Sequence, residues 1–333
     1  MPADAAIANP LRQRRQDPGL LRRDGKWQRN PLKSADRAGK WRPSSPSRRP
    51  ARALGAGGSL TAALGARAAL AFLLLCGLLA GAPANAQSRP SVFLEELTWT
   101  ELRDAISAGK TTILVPIGGT EQNGPAMALG KHNVRVKFLS EKIALALGDA
   151  LVAPVIAYVP EGGVSPPTEH MRFPGTITIP DKVFEQTLEG AARSFRLHGF
   201  RHIVFLGDHG GYQENDRASA QRLNREWAGS GARAYAIDEY YAVTQPEFGK
   251  VLQDQGLTPA EIGTHAGAAD TSLMLAVDPR LVRQEKLTAG PRFSATDGVY
   301  GDPAKASARL GQLGVDLIVA RTVAAIKAAA ARR

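Results

Sequence analysis

From residue 98 onward, apolar and polar positions follow two alternating rhythms. Ile113-Leu114-Val115-Pro116-Ile117 is a buried-strand pattern that breaks at Gly118-Gly119. Such a break is how a parallel sheet hands polar groups to the carboxyl end of a strand. Residues 151–158, 203–206 and 232–237 predict three more strands. Between them the period lengthens. Val134, Phe138 and Leu139, Ile143 and Leu147 recur at helical spacing, which predicts an amphipathic helix over 134–147. Residues 181–197, 215–227, 268–277 and 305–330 predict further helices, the last with Leu310, Leu313 and Leu317 on one face. Thr98-Trp99-Thr100-Glu101 and Thr258-Pro259-Ala260-Glu261 are capping boxes, the second with proline at the first helical position. Glu101 and Glu261 therefore read as caps rather than catalysts. Strand–helix alternation without an internal repeat predicts an α/β fold, a three-layer α/β/α sandwich around a largely parallel sheet.

The first 86 residues obey neither rhythm. Residues 1–66 are rich in Arg, Pro, Gly and Ser and read as a disordered basic extension. Arg67, the apolar run over 68–79 and Ala84-Asn85-Ala86 form the three parts of a signal peptide, with cleavage expected after Ala86. A signal peptide is normally terminal. Either translation begins downstream, which we favour, or this is an unusually long leader. Ser47-Arg48-Arg49 hints at twin-arginine export but lacks the hydrophobic residue expected after it. The expected mature chain is then a single domain over 87–333, periplasmic or secreted, with no stable membrane anchor after cleavage.

Charge follows the same division. The chain carries 42 Lys+Arg and 31 Asp+Glu. Of these, 15 basic and 4 acidic residues lie in 1–86, which leaves 27 of each in 87–333. The basic excess belongs to the leader, and no nucleic-acid surface is expected. The only cysteine, Cys76, also lies there, so residues 87–333 offer neither disulfides nor a thiol nucleophile. Any metal must find nitrogen and oxygen ligands.

Six histidines remain. His198 and His202 flank a predicted helix end and strand start and read as structural. The other four, His132, His170, His209 and His265, sit in turns rich in glycine or proline. Glu121, His132 and His209 supply one carboxylate and two imidazoles from two strand-end loops. This is a ligand set for a catalytic zinc with an open position. Residues 161–176 form a long loop stiffened by Pro and Gly and carrying Glu169 and His170.

Gly119-Thr120-Glu121-Gln122-Asn123-Gly124-Pro125, Glu169-His170-Met171-Arg172-Phe173-Pro174-Gly175-Thr176, Asp208-His209-Gly210-Gly211 and His265-Ala266-Gly267 with Asp270-Thr271-Ser272 carry a family resemblance. In order and spacing, over residues 93–280, the chain resembles the creatininase (creatinine amidohydrolase) family. The resemblance implies an α/β/α fold, a homo-oligomer (commonly a hexamer) and metal-dependent hydrolysis of cyclic amides or related C–N bonds in small molecules. Glu121 and His209 fall on metal-ligand positions. Asn123 falls where the family has a ligand histidine, His132 where it has a bridging aspartate, and Gly211 or Ala268 where a second-metal glutamate is expected. An imidazole cannot bridge two ions as a carboxylate does. The expectation is therefore one divalent metal, Zn²⁺ or else Mn²⁺, on Glu121, His132 and His209. His265 is the expected proton donor, Asp270 its orienting group or base, and His170 a third catalytic candidate. Asn123, Glu169, Gly210 and Gly211 are expected at the substrate. A periplasmic binding protein that kept the pocket and lost hydrolysis is the alternative.

Overall fold

The computed structural model describes residues 91–289 and 293–332, together with two short strands nearer the start. Those strands, β1 (Leu20–Arg23) and β2 (Lys26–Arg29), pair antiparallel with Leu20 opposite Arg29. The stretch read as unstructured thus contains a local ladder. In the sequence, Asp24-Gly25 stands between the strands, a strong hairpin signal. The rest of 1–66, the apolar run with Cys76 and the expected cleavage after Ala86 lie outside the described residues.

The unit that follows is built on β3 (Thr112–Ile117), β4 (Ala150–Val152), β5 (His202–Gly207) and β6 (Arg233–Ala236). They form one parallel sheet in the order β4-β3-β5-β6. The helices are α1 (Trp99–Ser107), α2 (Lys131–Leu147), α3 (Asp181–Leu197), α4 (Gln213–Glu226) and α5 (Glu239–Ala242). Then come α6 (Pro246–Asp254), α7 (Pro259–Ile262), α8 (Ala268–Val277), α9 (Gln284–Ala289) and α10 (Ala308–Ala331). Both capping boxes form as expected. The strand predicted over 151–158 ends at Val152. Pro154 has no N–H to give a ladder, and only an isolated Ile117–Ile156 bridge resumes the pairing.

Alternation along the strands sorts side chains into two cores. Leu114, Val204 and Leu206 pack with Val136, Leu139 and Ile143 of α2, Leu273 of α8, and Val315 and Ile318 of α10. Ile113, Val115, Ile117, Ile203 and Phe205 face the other way, against Phe184 and Leu188 of α3, Leu223 of α4 and Trp227. Each such side chain, fully buried, contributes roughly 1.5–3 kcal/mol. These are the three predicted layers. The buried face of α10 runs through Leu310, Gly311, Gly314, Val315 and Ile318, so Leu313 and Leu317 lie off its centre. The reason is a close approach: a Cβ on Gly311 would lie 1.8 Å from the Ser272 carbonyl oxygen of α8.

Connectivity places the site. After β3 the chain runs through α2 to β4 on one side, then returns past β3 through α3 to β5 on the other. The connections diverge between β3 and β5, and a crevice opens at the carboxyl ends of those strands. Tyr212, fully buried, ties its two walls together. Its hydroxyl accepts the Asp208 and His209 N–H groups at 3.1 and 3.0 Å and donates toward the Gly118 and Ile117 carbonyls at 2.6 and 2.9 Å. Tyr212→Phe strands the His209 N–H and the Gly118 carbonyl, while the Asp208 N–H keeps its bond to the Ile117 carbonyl, and is expected to lower stability by about 1–3 kcal/mol, read by urea unfolding.

Candidate metal centre

Glu121 is fully buried on the loop after β3. Its N–H donates to the Leu129 carbonyl, and the next residue's N–H donates to Thr176 Oγ1. The loop is closed by the Asn123 amide, which donates to the Glu121 and Ala128 carbonyls at 2.9 and 3.0 Å. The Glu121 carboxylate therefore has a fixed position, and its two oxygens meet different company.

On one side, Glu121 Oε1 lies 2.7 Å from His132 Nε2 and 3.3 Å from Lys131 Nζ. Both residues belong to the first turn of α2. His132 Nδ1 lies 2.6 Å from Asp208 Oδ2, so the ring is clamped between two buried carboxylates. Burial and the Lys131 charge push the His132 pKa down, but Glu121 and Asp208 outweigh them and it is raised. Asp208 also accepts from Arg135 Nε at 2.9 Å and from the Tyr240 hydroxyl at 2.7 Å. Arg135 and Lys131 both reach Asp270, at 2.8 and 3.1 Å, and the Ala266 N–H donates to it at 3.0 Å.

On the other side, Glu121 Oε2 accepts no hydrogen bond. It lies 3.1 Å from His170 Nε2 and 3.6 Å from His209 Nε2. Glu161 completes this half: it is 2% exposed, and neither of its oxygens has a hydrogen-bond partner. Ligand atoms of Glu121, Glu161, His170 and His209 all lie within 4.8 Å of one another. Burial raises the Glu121 pKa, but Lys131 and His132 more than offset it and hold the group well below the usual carboxylate range. Burial, then the neighbouring Glu121 charge, push Glu161 up to about 8. His132 and Lys131 pull it down, but they are outweighed. Burial also takes His209 down to about 3.

Buried carboxylate oxygens without donors, beside two uncharged imidazoles, fit a divalent cation. This ligand group differs from the expected Glu121, His132 and His209. His132 is outside it because carboxylates take both its nitrogens. His170, expected as a catalyst, is inside it. Glu161, which the sequence offered only as the start of a loop, is the residue missed. Gly119 admits it, since a Cβ there would sit 2.5 Å from Glu161 Oε1.

The remaining expectations divide. Glu161, Glu169, His170, Asp181, His209 and Gly211 line a cleft of about 750 Å³ beside the group. Asn123 does not line it: its Nδ2 closes the loop, and its buried Oδ1 has no hydrogen-bond partner. Gly210 packs instead on Tyr241, whose hydroxyl oxygen would lie 2.8 Å from a Cβ there. His265 stands at the centre: Nε2 is 3.0 Å from the Gln122 carbonyl, and Nδ1 is 3.8 Å from Glu121 Oε1. Its ring centroid is 4.6 Å from that of His170. Asp270 does not hydrogen-bond His265. Two cations and an N–H occupy it and hold its pKa well down against burial, which leaves it an anchor for Lys131 and Arg135 rather than a base. Among the described residues, the two non-glycine residues with left-handed backbone are Glu169 and Ala266, each next to a site histidine. A second cavity of about 590 Å³, lined by Arg201, His202, Trp227 and Arg233, contains none of the four candidate ligands.

Glu161 ties the site to stability. Without metal, its pKa is raised from 4.5 unfolded to about 8 folded. Its contribution is full below pH 4.5 and is lost as pH rises through about 8. Glu161→Gln is expected to flatten that loss, read by urea unfolding in chelator across this window. It is also expected to weaken Zn²⁺ binding by at least the ~10–100-fold that loss of an outer-shell partner costs. An unchanged slope and affinity would exclude Glu161 from the centre.

Comparison with known proteins gives the family to which this fold belongs. The family model for Creatininase, described as creatinine amidohydrolase, matches residues 95–326. A creatinine amidohydrolase from Pseudomonas putida is 28% identical over 231 residues, covering 66% of this chain and 85% of the relative. A mycofactocin precursor peptide peptidase from Mycolicibacterium smegmatis is 28% identical over 224 residues, covering 60% and 78%. A solved structure described as "Creatininase Mn" superposes with a TM-score of 0.60 at 26% identity, covering 71% of this chain and 98% of that one. With the family match spanning most of the chain and the sheet, layers and crevice in place, this protein belongs to the creatininase family.

Proposed function

We propose that this protein is a metal-dependent hydrolase of the C–N bond in a small amide, cyclic amide or formamide, working with one divalent ion. The observation that carries the reading is the bare, buried carboxylate pair of Glu121 and Glu161 facing His170 and His209 at the edge of a cleft. Those four residues would hold the ion. Mixed imidazole and carboxylate ligands favour Zn²⁺, with Mn²⁺ second. When bound, the ion supplies Lewis acidity that polarises the scissile carbonyl and helps make water a nucleophile near neutral pH.

The protein's own groups supply the proton handling. His265 donates from Nε2 to the Gln122 carbonyl, which leaves the Nδ1 lone pair turned toward the centre. Burial and the Lys131 charge lower its pKa to about 4, so the ring is neutral at pH 7. It therefore takes the proton of the attacking water first and returns it to the departing nitrogen, rather than starting as the acid that the sequence suggested. Gln122 keeps the ring in register. Its Nε2 donates to the Gly298 carbonyl at 3.1 Å, and its Oε1 accepts the Gly124 N–H at 2.9 Å. Glu169 stands at the cleft, where an incoming amide would pass.

The binding-protein alternative drew on the altered residues at 123, 132 and 268. Glu161 and His170 offer a ligand group without those positions, and hydrolysis is the better reading. His265→Ala is expected to lower turnover by ~10²–10⁴ with metal content unchanged, and chelation should abolish turnover. Lactams, hydantoins, formamides and short peptides form the screening panel. Unchanged turnover would remove His265 from the mechanism. Metal-free protein that binds lactams without consuming them would restore the alternative. Export with cleavage after Ala86 and assembly as a homo-oligomer belong to the same reading. Amino-terminal sequencing of secreted protein and light scattering test them.

A further inference from the structure

In the mechanism above Lys131 acts only through its charge on His265, yet it is the most buried cation near the centre. It is 1% exposed, and its ammonium touches Glu121 Oε1 at 3.3 Å and Asp270 Oδ2 at 3.1 Å. Lysine is rarely buried, and taking an ammonium out of water is costly unless it is paired. Asp270 supplies part of that pairing and is itself held by Arg135 and the Ala266 N–H, so the ammonium is fixed from behind. Glu121 supplies the rest, through Oε1 alone. Its Oε2 is left bare toward His170 and His209.

We propose that Lys131 is a built-in cation of the centre. Its ammonium holds the Oε1 side of Glu121, which confines the metal to the Oε2 side and limits the centre to one ion. The inference rests on the metal-hydrolase reading and adds a positioning residue to it. Three observations support it. Oε1 already meets both Lys131 and His132, so it has little capacity left to bridge a second ion. His132 cannot swing in as a ligand, because Asp208 and Glu121 take both its nitrogens. A second divalent ion would also face a fixed like charge. An ion sharing Oε1 would lie beside the Lys131 ammonium, which is already 3.3 Å from that oxygen, and would be repelled by it.

The test is metal stoichiometry and affinity in the full chain, with Zn²⁺ as the probe. Wild type is expected to bind one equivalent, and an anomalous-scattering map of crystals grown in excess Zn²⁺ should show one peak, on the Oε2 side. Lys131→Met should bind Zn²⁺ at least ~10-fold more tightly or take a second equivalent. Lys131→Arg, which keeps the charge, should behave as wild type. Two tight equivalents in wild type, or a peak within bonding distance of Oε1, would overturn the proposal. So would a folded Lys131→Met protein with unchanged stoichiometry and affinity, since an ion pair serving only the fold would leave both unmoved. If Lys131→Met does not fold, the anomalous map decides alone. Wild type without metal would instead remove the hydrolase reading, and Lys131 would then be judged by whether Lys131→Met acquires an ion.

Discussion

A buried carboxylate survives only where something positive answers it, and the centre depends on how Glu121 meets that condition. One oxygen is answered by the protein, through Lys131 and His132. The other is answered by nothing among the described residues, and it points to two imidazoles and a second carboxylate in the same state. This asymmetry separates the ionisation of two neighbouring acids. Glu121 stays charged because its cations are fixed beside it, while Glu161 holds its proton because burial and the Glu121 charge outweigh the pull of the same cations.

The fold serves that asymmetry by bringing charges from distant segments to one sheet edge. The loop after β3 carries Glu121, and the first turn of α2 carries Lys131 and His132. The end of β5 carries Asp208 and His209. The segment before α8 carries His265, and α8 itself begins with the Asp270 anchor. Tyr212 locks the walls of the crevice, and Gly311 seats α10 on the helix that holds Asp270. Core packing and site geometry therefore share parts, and a loosened α8 would be felt at Glu121 through Lys131.

Much of this was legible in the residues. The continuous apolar runs marked β3 and β5, the capping boxes marked two helix starts, and the glycine breaks marked the strand ends. The family followed from four motifs. What the residues withheld was convergence in space. Glu161 was one acid at the start of a loop, and only the approach of Gly119 shows that it is buried beside Glu121. His132 looked like a ligand because nothing in the sequence shows that Asp208 reaches its second nitrogen. Asp270 looked like a base because a first-turn acid gives no sign of the two cations that claim it. Periodicity records which face a residue takes; it does not record what stands opposite.

The seating of Glu161 has a wider consequence. Its carboxyl group reaches the centre from a loop between strands, while the chain carries Gly211 or Ala268 where the family resemblance led us to expect an acid. A carboxyl group can thus be supplied to a site from a stretch of chain other than the one a motif marks. Judged position by position, such a protein looks like one that has shed its chemistry. Judged by the side chains gathered in the crevice, it holds two carboxyl groups and two imidazoles within reach of one another.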